Sequence, residues 1–124
     1  MSVKWINKIE AEGTAILLPS YLQTNREFVS KFIDKYSALV GLDDETDQIV
    51  LKPLSLDEDN DVKYRDSLKI KFNIQKSFIR FGNKRAIEFI SSQIHIDVPK
   101  EGIRGKCKWD ENEEALLVTL GGNK

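Results

Sequence analysis

Residues Leu68 to Gln75 constrain the fold more than any other stretch, because Leu68, Ile70, Phe72 and Ile74 alternate with Lys69, Lys71, Asn73 and Gln75. A strict period of two sends one set of side chains to each face of a pleated strand, so this segment belongs to a sheet with one buried and one wet face. Phe78 to Phe81 is expected to pair back on it across a turn at Gln75-Lys76-Ser77. Chain length then limits what surrounds that sheet. With 124 residues, 40% of them apolar and 31% charged, the chain reads as a single domain with one core.

Other elements follow from local pattern. Val3 to Ala11 and Thr14 to Leu18 read as strands about a turn at Glu12-Gly13, and Pro19 ends the second. Thr24-Asn25-Arg26-Glu27 has the form of a capping box, and Phe28, Phe32, Tyr36 and Leu39 follow at helical spacing, which predicts a helix from Asn25 to Val40 closed by Gly41. A third strand is expected over Gln48 to Lys52, stopped by Pro53, and Leu56 to Asp61 has the composition of a solvated acidic loop. Asn83 is placed to cap a second helix whose apolar face is Ala86, Ile87, Ile90 and Ile94. Ile96 to Val98 suggests a short extended piece. Arg104 to Trp109 and Ala115 to Leu120 form a hairpin about the polar turn at residues 110–114.

Together these elements give an α+β expectation, two helices packed on a mainly antiparallel sheet of six to eight strands. The order strand, strand, helix, strand recurs in the two halves, so an internal duplication with halves 1–56 and 62–120 joined by an acidic linker is compatible with the sequence.

Ile9-Glu10-Ala11-Glu12-Gly13-Thr14-Ala15-Ile16-Leu17-Leu18-Pro19-Ser20 resembles the opening of the swapped-hairpin transcription regulators of the MraZ and AbrB type. Asp47-Gln48-Ile49-Val50-Leu51-Lys52-Pro53 is similar to the strand that closes such a hairpin. The resemblance implies a dimeric or ring-forming DNA-binding protein. It covers about a third of the chain, and Thr14 stands where that pattern has a basic residue, so no binding residue is carried over from it.

Several chemistries are disfavoured by residue supply. One histidine, His95, sits between Ile94 and Ile96, and one cysteine, Cys107, lies between Lys106 and Lys108. Together they fall short of the three or four nitrogen and sulfur ligands of a zinc site, and they offer no nucleophile-base pair with an orienting group. Asp57, Asp59 and Asp61 have the spacing of a calcium loop, yet Val62 stands where that loop needs glycine and Leu68 where it needs a bidentate glutamate. Gly102-Ile103-Arg104-Gly105-Lys106 lacks the spacing of a phosphate-binding loop. The expectation is therefore a non-enzymatic module with no cofactor, no metal and no identifiable small-molecule site. With a single cysteine and no signal-like or spanning apolar run, a cytoplasmic location without membrane partners is expected.

The net charge of −1 hides a segregation. Residues 43–61 hold eight acids against Lys52, near −7, while residues 62–108 hold twelve bases against four acids, near +8. Lys69, Lys71, Lys76, Arg80, Lys84 and Arg85 are the candidate nucleic-acid-binding residues, since such side chains neutralise phosphates and Tyr64 or Phe78 offers a stacking surface. Two functions are carried forward. The first is a small intracellular binding or regulatory module acting through a protein partner or self-association. The alternative is a nucleic-acid-binding regulator that uses the basic surface of residues 63–108.

Overall fold

In a computed structural model, which describes residues 1–6, 11–43, 45 and 48–121, the chain is an antiparallel β structure. Its strands are β1 (Gly13–Leu17), β2 (Leu22–Asn25), β3 (Ser37–Asp43), β4 (Gln48–Leu54), β5 (Lys69–Ile70), β6 (Phe72–Ile74), β7 (Phe78–Phe81), β8 (Ile103–Asp110) and β9 (Ala115–Leu120), with helices α1 (Leu56–Asp59) and α2 (Lys84–Gln93). The strands form one sheet in the order β5-β3-β4-β9-β8-β1-β2-β7-β6. Its two ends, β5 and β6, are separated in sequence only by Lys71. Residues 69–70 pair with β3 and residues 72–74 with β7, so one bent stretch nearly closes the sheet into a barrel.

The expected α+β architecture is therefore corrected to a nine-strand, nearly closed barrel. The largest error lies at residues 25–40, where no long helix forms. Thr24 is not a cap but a buried residue of β2 opposite Ala15 and Ile79. The chain then makes a turn and one 3-10 segment, Val29–Lys31, and enters β3 at Ser37. Phe28 and Phe32 are buried as a helical stripe would require, but Ile33 and Tyr36 are exposed. Two aromatics four residues apart satisfy the core equally well from a compact turn, and tertiary packing overrides the local pattern.

The helix-capping signal that operates in this half lies elsewhere. Ser55 and Glu58 form a capping box around α1, inside the segment expected to be a loop. The Glu58 carboxyl is held below its ordinary range because it accepts from the Ser55 backbone N–H at 2.8 Å and interacts with the Ser55 hydroxyl, although partial burial works the other way.

Pro53 does not stop β4, which runs on to Leu54. The Leu54 carbonyl accepts from Tyr36 N–H on the β3 side. Pro53, one residue back, therefore faces the opposite side, where pairing with β9 has already ended at Leu51 and no donor is needed. Over residues 3–6 and at Ala11 no strand forms, and residues 7–10 of the expected first strand lie outside the described residues. Ile96 to Val98 is likewise not a strand.

The α2 helix and the hairpin of β8 and β9 occur where expected. Asn83 accepts from Ala86 N–H to cap α2, which buries Ile87 and Ile90, and His95 with φ 57° follows its end.

The pairings have a twofold pattern once β5 and β6 count as one bent strand. Exchanging that strand with β1, β7 with β2, β8 with β3 and β9 with β4 leaves the whole set of pairings unchanged. Each half contributes two hairpins, and only the second half has an α-helix between them. Strand, strand, helix, strand is thus not the order of the first half. The hairpin of β1 and β2 lies between β8 and β7, both from the other half.

Inward residues fill the barrel in registered pairs: Leu17 faces Leu22, Leu22 faces Phe81, Ile49 faces Val118, and Val118 faces Cys107. Phe32 packs among them edge-on to Phe72, Phe81 and Trp109, with ring centroids 5.3, 5.2 and 6.4 Å away. Among the described residues no helix is long and apolar enough to cross a membrane.

Candidate polyanion-binding face

Because inward and outward positions alternate, filling the barrel also fixes what stands on its outside. On β8 the inward Cys107 is flanked by the outward Arg104, Lys106 and Lys108, all exposed. Register extends this column sideways. Arg80 of β7 stands opposite Gln23 of β2, Gln23 opposite Ile16 of β1, and Ile16 opposite Arg104. Arg80 and Arg104 are thus three strand spacings apart, roughly 14 Å, and Lys106 lies about 7 Å along β8 from Arg104. Lys106 is opposite Thr14 on one side and Thr119 on the other.

The face is ordered by its own contacts. The Arg80 guanidinium lies 4.3 Å from the Tyr21 ring centroid and 4.7 Å from that of Phe78, and its Nε donates to Gln23 Oε1 at 3.3 Å. Two aromatic surfaces and a hydrogen bond restrict a side chain that is otherwise rich in rotamers, so less entropy is lost when it meets an anion. Arg26 donates to the carbonyls of Gln75 and Lys76 at 3.1 and 3.2 Å, which ties the turn between β6 and β7, and Lys76 with it, to the end of β2.

Two shallow grooves, about 380 and 180 Å³, meet on this surface and share Thr14, Ala15 and Arg104. Small residues make the room, since Gly105 and Ala15 line the larger groove. Gly105 has no alternative, because a Cβ there would fall 2.2 Å from the Thr119 carbonyl oxygen. Arg104, Lys106 and Lys108 line the grooves, and Arg80 reaches the smaller one through Gln23 and Phe78, which line it. Among the described residues, Glu12 lies 3.7 Å from Lys106 across an exposed pair, and Glu12 and Glu27 are close enough to act on Cys107. Cys107 lies just beneath. Burial, reinforced by Glu12 and Glu27, pushes its thiol up to about 12. A protonated, covered sulfur of that kind is an inert filler of the barrel rather than a nucleophile.

The six cations predicted from sequence do not form one surface. Lys76 and Arg80 belong to the face just described. Lys69, Lys71 and Arg85 surround a different groove, with Lys84 next to Arg85 at the start of α2. Lys69 Nζ donates to the Asp59 carbonyl at 2.8 Å, and Lys71 Nζ sits 3.2 Å from the Tyr36 ring centroid. Arg26, Arg104, Lys106 and Lys108 were outside that set. For the last three a signal existed, since Arg104, Lys106 and Lys108 alternate with Ile103, Gly105, Cys107 and Trp109. Joining them to Arg80 requires the register of β7, β2, β1 and β8.

Two of the three acids of the calcium-like spacing, Asp59 and Asp61, are engaged within the fold. Asp59 Oδ1 accepts from Ser37 Oγ at 2.6 Å, and Asp61 Oδ1 accepts from Lys63 N–H at 3.0 Å. Among the described residues no group of three or more His, Cys, Asp or Glu side chains is arranged to hold a metal ion. Comparison with known protein families, curated proteins and solved structures finds no match.

Proposed function

We propose that this chain is a non-enzymatic binding module of the cytoplasm whose outward face on β7, β2, β1 and β8 takes the phosphate backbone of a nucleic acid. The observation that carries the reading is the register that aligns Arg80 with Arg104 across β2 and β1, next to Lys106 and Lys108 on the same strand. Cations spaced about 7 Å apart along a strand and about 14 Å across the sheet match successive phosphates of an extended chain, and Tyr21 and Phe78 offer rings beside Arg80. The buried, protonated Cys107 suits a reducing compartment.

The test is an anisotropy titration of labelled single-stranded and duplex oligonucleotides at low ionic strength. Affinity should fall with salt at a log-log slope of roughly −3 to −4 on duplex DNA, at about 0.9 per phosphate neutralised. Arg104→Glu with Lys106→Glu and Lys108→Glu should abolish binding while the melt stays cooperative, and Lys84→Glu with Arg85→Glu should leave it within about threefold, since a distant charge acts only through a screened field. No binding by the wild-type protein at low salt would refute the proposal.

A further inference from the structure

The groove that takes Lys69, Lys71 and Arg85 away from the polyanion face has a character of its own. It measures about 470 Å³ and its floor is Leu68, Ile70, Ala86 and Phe89, the last of which is 54% exposed although large and apolar. Cations rim an apolar trough. Lys71 is held at that rim by the Tyr36 ring, and Arg85 projects from the exposed first turn of α2. A fitting occupant is acidic and carries aliphatic side chains.

The chain itself contains such an element. From Leu56 to Val62 it carries Asp57, Glu58, Asp59 and Asp61 between two exposed aliphatics, Leu56 at 52% and Val62 at 76%. This acidic ridge lies directly beside the groove, because the Lys69 ammonium at the rim donates to the Asp59 carbonyl at 2.8 Å. A ridge next to its own complementary groove makes a self-complementary surface. Turning a second copy by a half-rotation brings each ridge over the other copy's groove, the arrangement an isologous dimer requires. The alternative route to assembly, pairing of sheet edges, is largely removed here because β5 and β6 are parts of one bent stretch and the barrel nearly closes.

We propose that two copies of this chain associate through this face, the segment Leu56–Val62 of each seated in the groove of the other. Apolar contact of Leu56 and Val62 with Phe89 supplies the attraction, and opposition of the acids to Lys69, Lys71 and Arg85 sets the register. The face shares no residue with the grooves of the polyanion surface, so the dimer neither depends on nucleic-acid binding nor blocks it.

Sedimentation velocity of the full chain across a wide concentration series tests this. The wild type should sediment as a concentration-dependent dimer that weakens as salt rises. Phe89→Ser, Arg85→Glu and Asp57→Lys, all at exposed positions, should each weaken it by about tenfold or more without lowering the melting temperature. Mixing the last two variants should restore association, because in the mixed pair Asp57 meets Arg85 at one contact and Lys meets Glu at the other. A monomer at every concentration overturns the proposal. So does a dimer indifferent to all three substitutions, or one that disappears only when residues 1–6, with the exposed Val3, Trp5 and Ile6, are removed. The Arg104, Lys106 and Lys108 reversals should leave the dimer intact, which separates failure of this proposal from failure of nucleic-acid binding.

Discussion

Truncating Phe32 to alanine is the sharpest test of how the barrel is filled. Phe32 is fully buried although it belongs to neither a strand nor a regular helix, and its ring meets Phe72, Phe81 and Trp109 edge-on. Loss of a buried phenylalanine side chain costs about 3 to 5 kcal/mol, which includes the transferred area and the void left behind. Three edge-to-face partners favour the upper half of that range, because such pairs add about 0.5 to 1.5 kcal/mol each beyond area burial. Against a total stability of roughly 5 to 15 kcal/mol, the variant should be marginal, with a melting temperature lower by roughly 15 °C. Urea unfolding followed by tryptophan emission is the assay, since Trp109 lies 6.4 Å from the altered ring and reports the barrel interior. Ile33→Ala is the control. It is 58% exposed and should cost less than about 1 kcal/mol, whereas a helical stripe would have buried it and made it cost about 2 to 5. A Phe32→Ala loss below about 1 kcal/mol, or an Ile33→Ala loss as large as that of Phe32→Ala, would refute the reasoning.

Gly105→Ala should destabilise by about 1 to 3 kcal/mol or more, because its Cβ would meet the Thr119 backbone carbonyl at 2.2 Å, while Gly41→Ala, with Val50 Cβ at 3.8 Å as its nearest neighbour, should be neutral or stabilising by up to about 1 kcal/mol in the same denaturation assay. Stability should also decline with alkaline pH through Cys107. Its folded thiol stays protonated to about 12 while the unfolded thiol ionises near its ordinary value of 9.0, so between those values the unfolded state binds fewer protons and about 1.4 kcal/mol is lost per pH unit. Cys107→Ala should lack that increment when its pH-stability profile is compared with the wild type, and iodoacetamide should label the wild-type thiol only as fast as the protein opens.

What could be read from sequence was whatever depends on near neighbours. The alternation at residues 68–75 announced a strand, the Asn83 cap and the Ile87 and Ile90 spacing announced α2, and the pattern about residues 110–114 announced a hairpin. What could not be read depends on closure. Lys71 ends one pairing and begins another because β3 and β7 both claim the same six-residue stretch, and the alternation of side chains is the same whether that stretch lies in an open sheet or a barrel. The misread helix at residues 25–40 has a related cause. Phe28 and Phe32 are needed inside a barrel whose interior is open to them, and an enclosed core selects for volume without requiring helical periodicity. Thr24 looked like a cap because its hydroxyl is suited to one, yet β2 uses it as a small buried residue between Ala15 and Ile79.

The same closure explains why the charge segregation visible along the chain became two surfaces rather than one. A basic stretch on an open sheet would have its lysines on a single face, but the bend at Lys71 sends Lys69 and Lys71 toward α1 and α2 while β7 carries Arg80 toward β2. The first group lies beside the acidic segment of residues 56–61, where Lys69 already reaches Asp59, and the second joins Arg104 and Lys106 from a strand more than twenty residues downstream. An acidic ridge beside a basic groove leaves that face with little net field, so it suits recognition of a surface that carries both signs, such as a second copy. Among the described residues the β8 face carries Arg80, Arg104 and Lys106 with no such ridge beside them, and its field should persist to a Debye length of about 8 to 10 Å at ordinary ionic strength. The two binding modes should therefore respond differently to charge reversal, with the groove tolerating a compensated swap between copies and the β8 face tolerating none.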